Sequence, residues 1–332
     1  MKIIIVKLGA IGDVLRTTSL LPGLQEKYYP VEIDWLTSRS GQEILLHNRA
    51  IRQVFIWEEK DSLGSYDLVI GLEDDIEACR LVSDLRTSQK VGAYYERGQT
   101  TYTPSTWFDM SAISRFGLDQ ANLLKKQNTK TYQQHMAELL GIKVSPYLFQ
   151  LTPDEIEYGR DVVRGMGYGE KEKIVGINTG AGQCWQQKSW GVEQTIELIK
   201  RLKNELGVAS LILGGEDERE RNKTITHETG MPEAGVHSLR QFASIIGRCQ
   251  LVVSSDSLAM HFALALKKRL VVFFGPTSAA EIELYGLGSK VVPNLDCLVC
   301  YKKSCDLQHN CMASLSVEKM FSALRNEWER VI

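Results

Sequence analysis

At 332 residues the chain exceeds one ordinary domain and suits two. Its 43% hydrophobic and 24% charged residues describe a globular protein with ample core. A formal net charge of -2 argues against bulk nucleic-acid binding, which draws on a strongly basic face.

The apolar opening, residues 1–6, meets Lys7 and Gly9 at once. It is too short for a signal segment and reads as a buried first strand. No stretch approaches the ~18 apolar residues of a membrane span, so a cytoplasmic address is the expectation. The chain then runs glycine loop, helix and strand over residues 8–12, 14–28 and 31–36. Leu15, Leu20, Leu21 and Leu24 are spaced to face a sheet, and Pro22 predicts a kink or an early break. Lys7-Leu8-Gly9-Ala10-Ile11-Gly12-Asp13 is the first of four strand-to-helix junctions, where backbone amides and a helix dipole can meet phosphate. Gly9 and Gly12 allow a tight turn and close approach of a ligand. Asp13 reads equally well as an N-terminal helix cap and as a catalytic acid. Asp34, about twenty residues on, would suit a nicotinamide site. That fingerprint wants three glycines where two stand, and Asp34 lies inside the second strand.

Strands follow at residues 53–57 and 67–72, after which the pattern weakens. Residues 92–106, rich in Tyr, Thr and Gly, read as an exposed functional loop. Tyr94, Tyr95, Arg97 and Arg115 there fit either an acceptor region or ordinary solvated positions. A helix at 128–140 ends on Gly141. Val144-Ser145-Pro146 and Leu151-Thr152-Pro153 are extended and helix-breaking, which puts the domain boundary at 145–170, with 1–150 before it and 151–170 as linker.

The second domain, 171–315, alternates more cleanly, with strands at 173–178, 209–214, 251–254, 269–274 and 290–292. Helices at 191–206, 218–229, 238–249 and 258–266 lie between them, and 316–328 closes as a helix. Such alternation predicts parallel sheets with right-handed crossovers, hence two doubly wound domains with ligands outside the strands' carboxyl ends. The second junction, Gly180-Ala181-Gly182 leading to Lys188-Ser189-Trp190, has the make-up of an anion nest with a point charge. Gly214-Gly215 followed by Glu218 is the third; its acids complement a helix dipole or bind ribose hydroxyls. The fourth is Ser254-Ser255-Asp256-Ser257-Leu258 with His261 one turn in, where hydroxyls and free amides suit a diphosphate.

Cys79, Cys184 and Cys249 are scattered and read as buried thiols. Cys297, Cys300, Cys305 and Cys311 crowd into fifteen residues. Four thiolates can close around one tetrahedral zinc or iron ion; free thiols, or a disulfide formed on isolation, are the alternatives.

Gly12-Asp13-Val14-Leu15, Lys188-Ser189-Trp190, Gly214-Gly215 with Glu218, Ser254-Ser255-Asp256-Ser257 with His261, and Phe274-Gly275-Pro276-Thr277 follow one another in a specific order and spacing. In these the chain resembles, over nearly its whole length, glycosyltransferase family 9, the ADP-heptose:lipopolysaccharide heptosyltransferases. The resemblance implies an α/β GT-B fold: two Rossmann-like doubly wound parallel-sheet domains facing a central cleft, acceptor bound by the first and nucleotide sugar by the second. It also implies a last helix, 316–332, crossing back to the first domain. It makes Asp13 the general base and Lys188 the residue that neutralises the departing diphosphate. Gly180, Ala181, Gly182, Asp256, Ser257, Leu258 and His261 would line the phosphates, with Glu218 on the nucleoside and Gly9 and Gly12 on the acceptor side. Transfer would invert the anomeric centre with no cofactor needed for catalysis, and related protein heptosyltransferases hold iron on a similar cysteine run. ADP-heptose and a lipopolysaccharide inner core or related glycan are the implied partners, met at the cytoplasmic face of the inner membrane. Here Leu258 stands where the best-known members carry Gly, and Cys184-Trp185 fill a loop that often bears Thr or Pro. A different nucleotide sugar with a protein or other glycan acceptor, and a non-catalytic nucleotide-sugar or metal-binding protein, are the competing readings.

Overall fold

The computed structural model describes residues 1–307 and 310–331; residue 332, the end of the predicted terminal helix segment, lies outside them. The chain divides into two compact units, Met1–Gln150 with Ala280–Glu283, and Leu151–Ala279 with Leu284 onward.

The first unit runs β1 (Lys2–Val6), α1 (Ile11–Thr17), α2 (Leu21–Lys27), β2 (Glu32–Thr37), α3 (Arg39–Leu45), β3 (Gln53–Ile56), β4 (Tyr66–Gly71), α4 (Ile76–Asp84), β5 (Thr87–Glu96), β6 (Gln99–Tyr102), α5 (Leu118–Gln127) and α6 (Tyr132–Leu140). The sheet order is β3-β2-β1-β4-β5-β6, parallel except for the last pair. β1 is wholly apolar from Ile3 to Val6 and is covered on both faces, as a central parallel strand must be. The predicted break at Pro22 is present. A short 3-10 turn separates α1 from α2, and Pro22 sits in the first turn of α2, where its missing N–H costs nothing.

Residues 92–106 are not the loop their composition suggests. Most form the β5–β6 hairpin, whose two-residue turn places Arg97 and Gly98 at positive φ of 53° and 84°. That is the turn a right-twisted hairpin prefers, and Tyr and Thr pack well on its pleated faces. The predicted helix at 128–140 begins later, at a Thr131–Gln134 capping box, and ends on Gly141 at φ 61°.

The second unit runs α7 (Pro153–Gly165), β7 (Ile174–Asn178), α8 (Val192–Leu206), β8 (Ala209–Leu213), α9 (Arg219–Thr229), α10 (Leu239–Ile246), β9 (Leu251–Ser255), α11 (Leu258–Ala265), β10 (Arg269–Phe273), β11 (Gly288–Val291) and α12 (Val317–Glu329). Its sheet is entirely parallel, in the order β11-β10-β9-β7-β8. Two expectations are corrected here. The supposed linker is α7, an integral helix. Thr152 and Glu155 form its capping box, Pro153 occupies the first turn, and Glu155 pairs with the buried Arg240 of α10 at 2.5 Å. The terminal helix packs within the second unit. α12 buries Met320, Phe321 and Leu324 in the second unit's own core beside Val271 and Phe273. Its Glu327, 1% exposed at the side chain, pairs with Arg269 on β10. Among the described residues no helix is long and apolar enough to cross a membrane.

Candidate active site

In an open parallel sheet the ligand crevice lies where the strand order reverses. In the first unit that point is β1, flanked by β2 and β4; in the second it falls between β7 and β9. The chemistry-bearing residues cluster at the carboxyl ends of these strands.

After β1, the loop of residues 7–10 is tied to the loop after β4 by one carboxylate. Glu73 Oε1 accepts the Leu8 amide at 2.6 Å, the Gly9 amide at 3.0 Å and Lys7 Nζ at 2.9 Å. A Cβ added at Gly9 would meet no atom within 4 Å, so the fold itself does not demand glycine there. Gly12 lies in the first turn of α1, and Asp13 is that helix's third residue. The cap position belongs to Ala10, with no side-chain capping bond, so the helix-cap reading of Asp13 falls. Its carboxylate stays 34% exposed and lies 3.1 Å from Arg16 Nε. Arg16 is itself packed over the rings of Tyr132 at 4.2 Å and Trp107 at 5.4 Å. Burial works against its charge, but Asp13, then Tyr132 and Glu281, outweigh it and hold the guanidinium protonated beyond its ordinary range.

Asp34 is fully buried in β2, pairs with Arg52 and accepts the Tyr66 hydroxyl at 3.1 Å. Burial, then the charge of Asp34, pushes the Tyr66 phenol well up. This carboxylate belongs to the sheet and not to a cofactor's ribose.

At the second switch point, Asn178 closes β7 with its side-chain amide on Gly180 O at 2.6 Å and on Ser257 Oγ at 3.2 Å. Ser254 Oγ lies 2.8 Å from Ser257 Oγ. Ser257 is the N-cap residue of α11 but makes no side-chain bond to its amides. The positive end of that helix is therefore left without a side-chain cap, the condition under which anions bind such ends. Leu258, next in the chain, is partly exposed.

Glu218 organises the glycine loops. Its Oε1 accepts the Gly182 amide at 3.1 Å and its Oε2 the Gly215 amide at 2.9 Å. A Cβ at Gly180 would stand 2.2 Å from Glu218 Oε1 and 2.4 Å from its Cγ, so only glycine allows this approach. Ala181 lies between them, partly exposed. Lys188 ends a short 3-10 turn, Gln183–Lys188. Its Nζ donates to Asp256 Oδ2 at 2.9 Å and to Asp256 O at 3.0 Å, and stands 4.7 Å from the Trp185 ring. Burial would raise the Asp256 carboxyl, but the charges of Lys188 and His261 and the Lys188 hydrogen bond hold it below the usual carboxylate range. His261 is buried in α11, 5% exposed, one turn after Ser257.

Sequence reasoning named Asp13, Lys188, Asp256, Ser257 and the glycines but passed over Glu73, Arg16 and Asn178. Polar residues closing a buried strand were the available signal for Asn178, and the acidic run Glu73-Asp74-Asp75 after an apolar strand was the signal for Glu73. Cys184, expected to be buried, is exposed, whereas Cys79 and Cys249 are buried and their thiols pushed up to about 12 by that burial. Cys297, Cys300, Cys305 and Cys311 form no disulfide among the described residues. Burial, then the neighbouring Cys300, pushes Cys311 up to about 11, with Cys297 adding to it. Among the described residues no group of three or more His, Cys, Asp or Glu side chains is arranged to hold a metal ion.

The model of glycosyltransferase family 9 (heptosyltransferase) matches residues 60–310. Lipopolysaccharide heptosyltransferase 1 of Pseudomonas aeruginosa is 24% identical over 93% of this chain and 88% of its own length. Among solved structures, a family 9 glycosyltransferase from Veillonella parvula superposes with a TM-score of 0.79 at 18% identity, covering 99% of this chain and 97% of that one. The Escherichia coli heptosyltransferase WaaC with ADP superposes with a TM-score of 0.63 at 18% identity, covering 100% and 99%. The architecture of both units is thus that of the GT-B transferases. With its strand-end chemistry and a family match across three quarters of its length, the chain belongs to glycosyltransferase family 9, the heptosyltransferases.

Proposed function

We propose that this transferase moves a heptose from an ADP-sugar to a lipopolysaccharide inner core or related glycan, inverting the anomeric centre without a catalytic metal. The observation that carries the reading is the diphosphate seat of the second unit. A buried lysine is fixed by Asp256 beside a helix N-terminus that its own cap residue leaves open. A point charge and oriented amides are what a departing diphosphate needs, and they supply that field with no divalent ion. The names of the curated relatives support heptose and lipopolysaccharide, and the ADP of the Escherichia coli neighbour supports the nucleotide.

In this mechanism the acceptor hydroxyl gives its proton to an Asp13 carboxylate oxygen as its oxygen bonds to the anomeric carbon. The bond from that carbon to the diphosphate oxygen breaks on the opposite face, and ADP leaves with the electron pair. Lys188 and the α11 amides take up the charge. Gly180, Ala181 and Gly182 let the chain approach the phosphates. Glu218 keeps a lone pair on each oxygen beyond its amide bonds, available to the nucleoside ribose. Base assistance of this kind contributes ~100- to 10,000-fold. A lipid-anchored acceptor places the enzyme against the cytoplasmic face of the inner membrane. Cys297, Cys300, Cys305 and Cys311 crowd into fifteen residues, which is the ground for proposing a structural zinc or iron ion that would draw their side chains together, checked by metal analysis of anaerobically purified protein.

Asp13→Asn tests the core of the proposal. The variant should keep its melting temperature and lose transfer from ADP-heptose to heptose-deficient lipopolysaccharide by at least ~100-fold. Full transfer by the variant would remove the base, and an absolute magnesium requirement in the unmodified enzyme would remove the metal-free seat.

A further inference from the structure

Arg16 is placed as no ordinary surface arginine would be. Its side chain is 11% exposed, beside an acid whose own side chain is 34% exposed. Its guanidinium lies against the Tyr132 ring and near that of Trp107, and these two rings meet edge to face at 5.0 Å. The cage is tied back to the helix that carries Asp13. Tyr132 OH lies 2.7 Å from Thr17 Oγ1, and that hydroxyl donates to Asp13 O at 2.7 Å. Arg16 therefore has little rotational freedom left, and aromatic faces favour a cation held there.

One nitrogen is left over. Arg16 Nε is buried and finds no hydrogen-bond partner among the described residues, although Asp13 Oδ1 is only 3.1 Å away. The two are close enough for an ion pair but not aligned for a hydrogen bond. A buried N–H without an acceptor is costly, so it favours any rotation of the Asp13 carboxylate that brings an oxygen onto its axis. An arginine locked in an aromatic cage thus imposes one preferred orientation on the neighbouring acid. A base must meet its proton within hydrogen-bond reach and in line, which makes that orientation matter.

We propose that Arg16, caged by Tyr132 and Trp107, is a positioning residue that orients the Asp13 carboxylate for proton removal from the acceptor. The inference rests on Asp13 being the base, as proposed above. Arg16 touches no reacting atom; it acts through Asp13 alone.

The test is a double-mutant cycle of Asp13→Asn, Arg16→Met and the two combined, with Arg16→Lys as the conservative variant, each assayed for heptose transfer from ADP-heptose to heptose-deficient lipopolysaccharide. Arg16→Met should lower kcat on the order of 10- to 100-fold with KM for either substrate changed less than about twofold. Arg16→Lys should recover part of the loss. The double variant should be no slower than Asp13→Asn, because a residue acting through Asp13 has nothing left to orient. Unchanged kcat in Arg16→Met, a loss confined to KM, or multiplicative losses in the double variant would each overturn the proposal. The unmodified protein, the Asp13→Asn and Arg16→Met variants and the double variant are melted in parallel. Single-variant shifts that fail to sum by more than about 1 °C support the pair even if the unmodified protein transfers no heptose, and additive shifts refute it. Loss of the family activity and loss of the Arg16 role are thereby separated.

Discussion

Asp256→Asn probes the proposed diphosphate seat without changing its shape. Lys188 and Asp256 are 11% and 17% exposed at their side chains and pair at 2.9 Å. Removing one member of a fully buried pair costs about 3–5 kcal/mol because the other charge is stranded. Here the loss is smaller. Lys188 keeps its bond to Asp256 O at 3.0 Å and the Trp185 face at 4.7 Å, and an asparagine oxygen can still accept. About 1–2 kcal/mol at neutral pH follows, which in a unit of this size lowers Tm by roughly 2–8 °C. The pH dependence gives a sharper reading. The Asp256 carboxyl is held below its ordinary 3.8 in the folded state, so its contribution is complete above that value and fades as pH falls through the lower folded one. Circular-dichroism melts of both proteins from pH 7 downward should show a gap that is constant to about pH 5 and closes below about pH 4. Equal melting temperatures at pH 7 would refute the stranded-charge reasoning, and a gap undiminished at low pH would show that the loss is steric.

Gly180→Ala should cost about 1–3 kcal/mol, because its Cβ would displace a Glu218 side chain already held by the Gly182 and Gly215 amides. Gly165→Ala, at the end of α7 with nothing within 4 Å of its Cβ, serves as control and should be neutral or stabilising by up to about 1 kcal/mol in urea unfolding. Burial, then Lys130, pushes His135 down from 6.5 to about 4, while Thr106 and Asn128 satisfy its neutral ring. Its neutral form is the one that folds, so stability is full above pH 6.5 and falls by about 3 kcal/mol as pH drops towards 4. A urea-unfolding series across that range should show the slope in the unmodified protein and lose it in His135→Gln.

Most of the parallel strands were readable because they are short apolar runs bounded by glycine or polar residues, and that pattern is local. What was misread depended on context. Thr152-Pro153 looked like a break because proline ends helices from within, yet proline also opens them, and only the partner Glu155 tells the two apart. Residues 92–106 looked like a loop because their Tyr, Thr and Gly are polar enough for one, and only the antiparallel pairing of 93–96 with β6 makes them strand. The terminal helix followed the family expectation, but its row of Val317, Met320, Phe321 and Leu324 needed a sheet face, and the second unit's own sheet supplied it.

The acids of the site sort by what their oxygens already do, and no sequence pattern separates them. Glu73 and Glu218 each spend their carboxylates on backbone amides of glycine-bearing loops, and Asp256 spends its own on Lys188. These three follow strand ends just as Asp13 does, so spacing alone ranks them together. Asp13 differs in two measurable respects. Its side chain is 34% exposed against 14% for Glu73 and 17% for Asp256, and its charged neighbour, Arg16, is close without being hydrogen-bonded to it. A carboxylate that is partly open and not consumed by the scaffold is the one that suits the base proposed above. The other three hold loops, and in one case a lysine, in place within their own units.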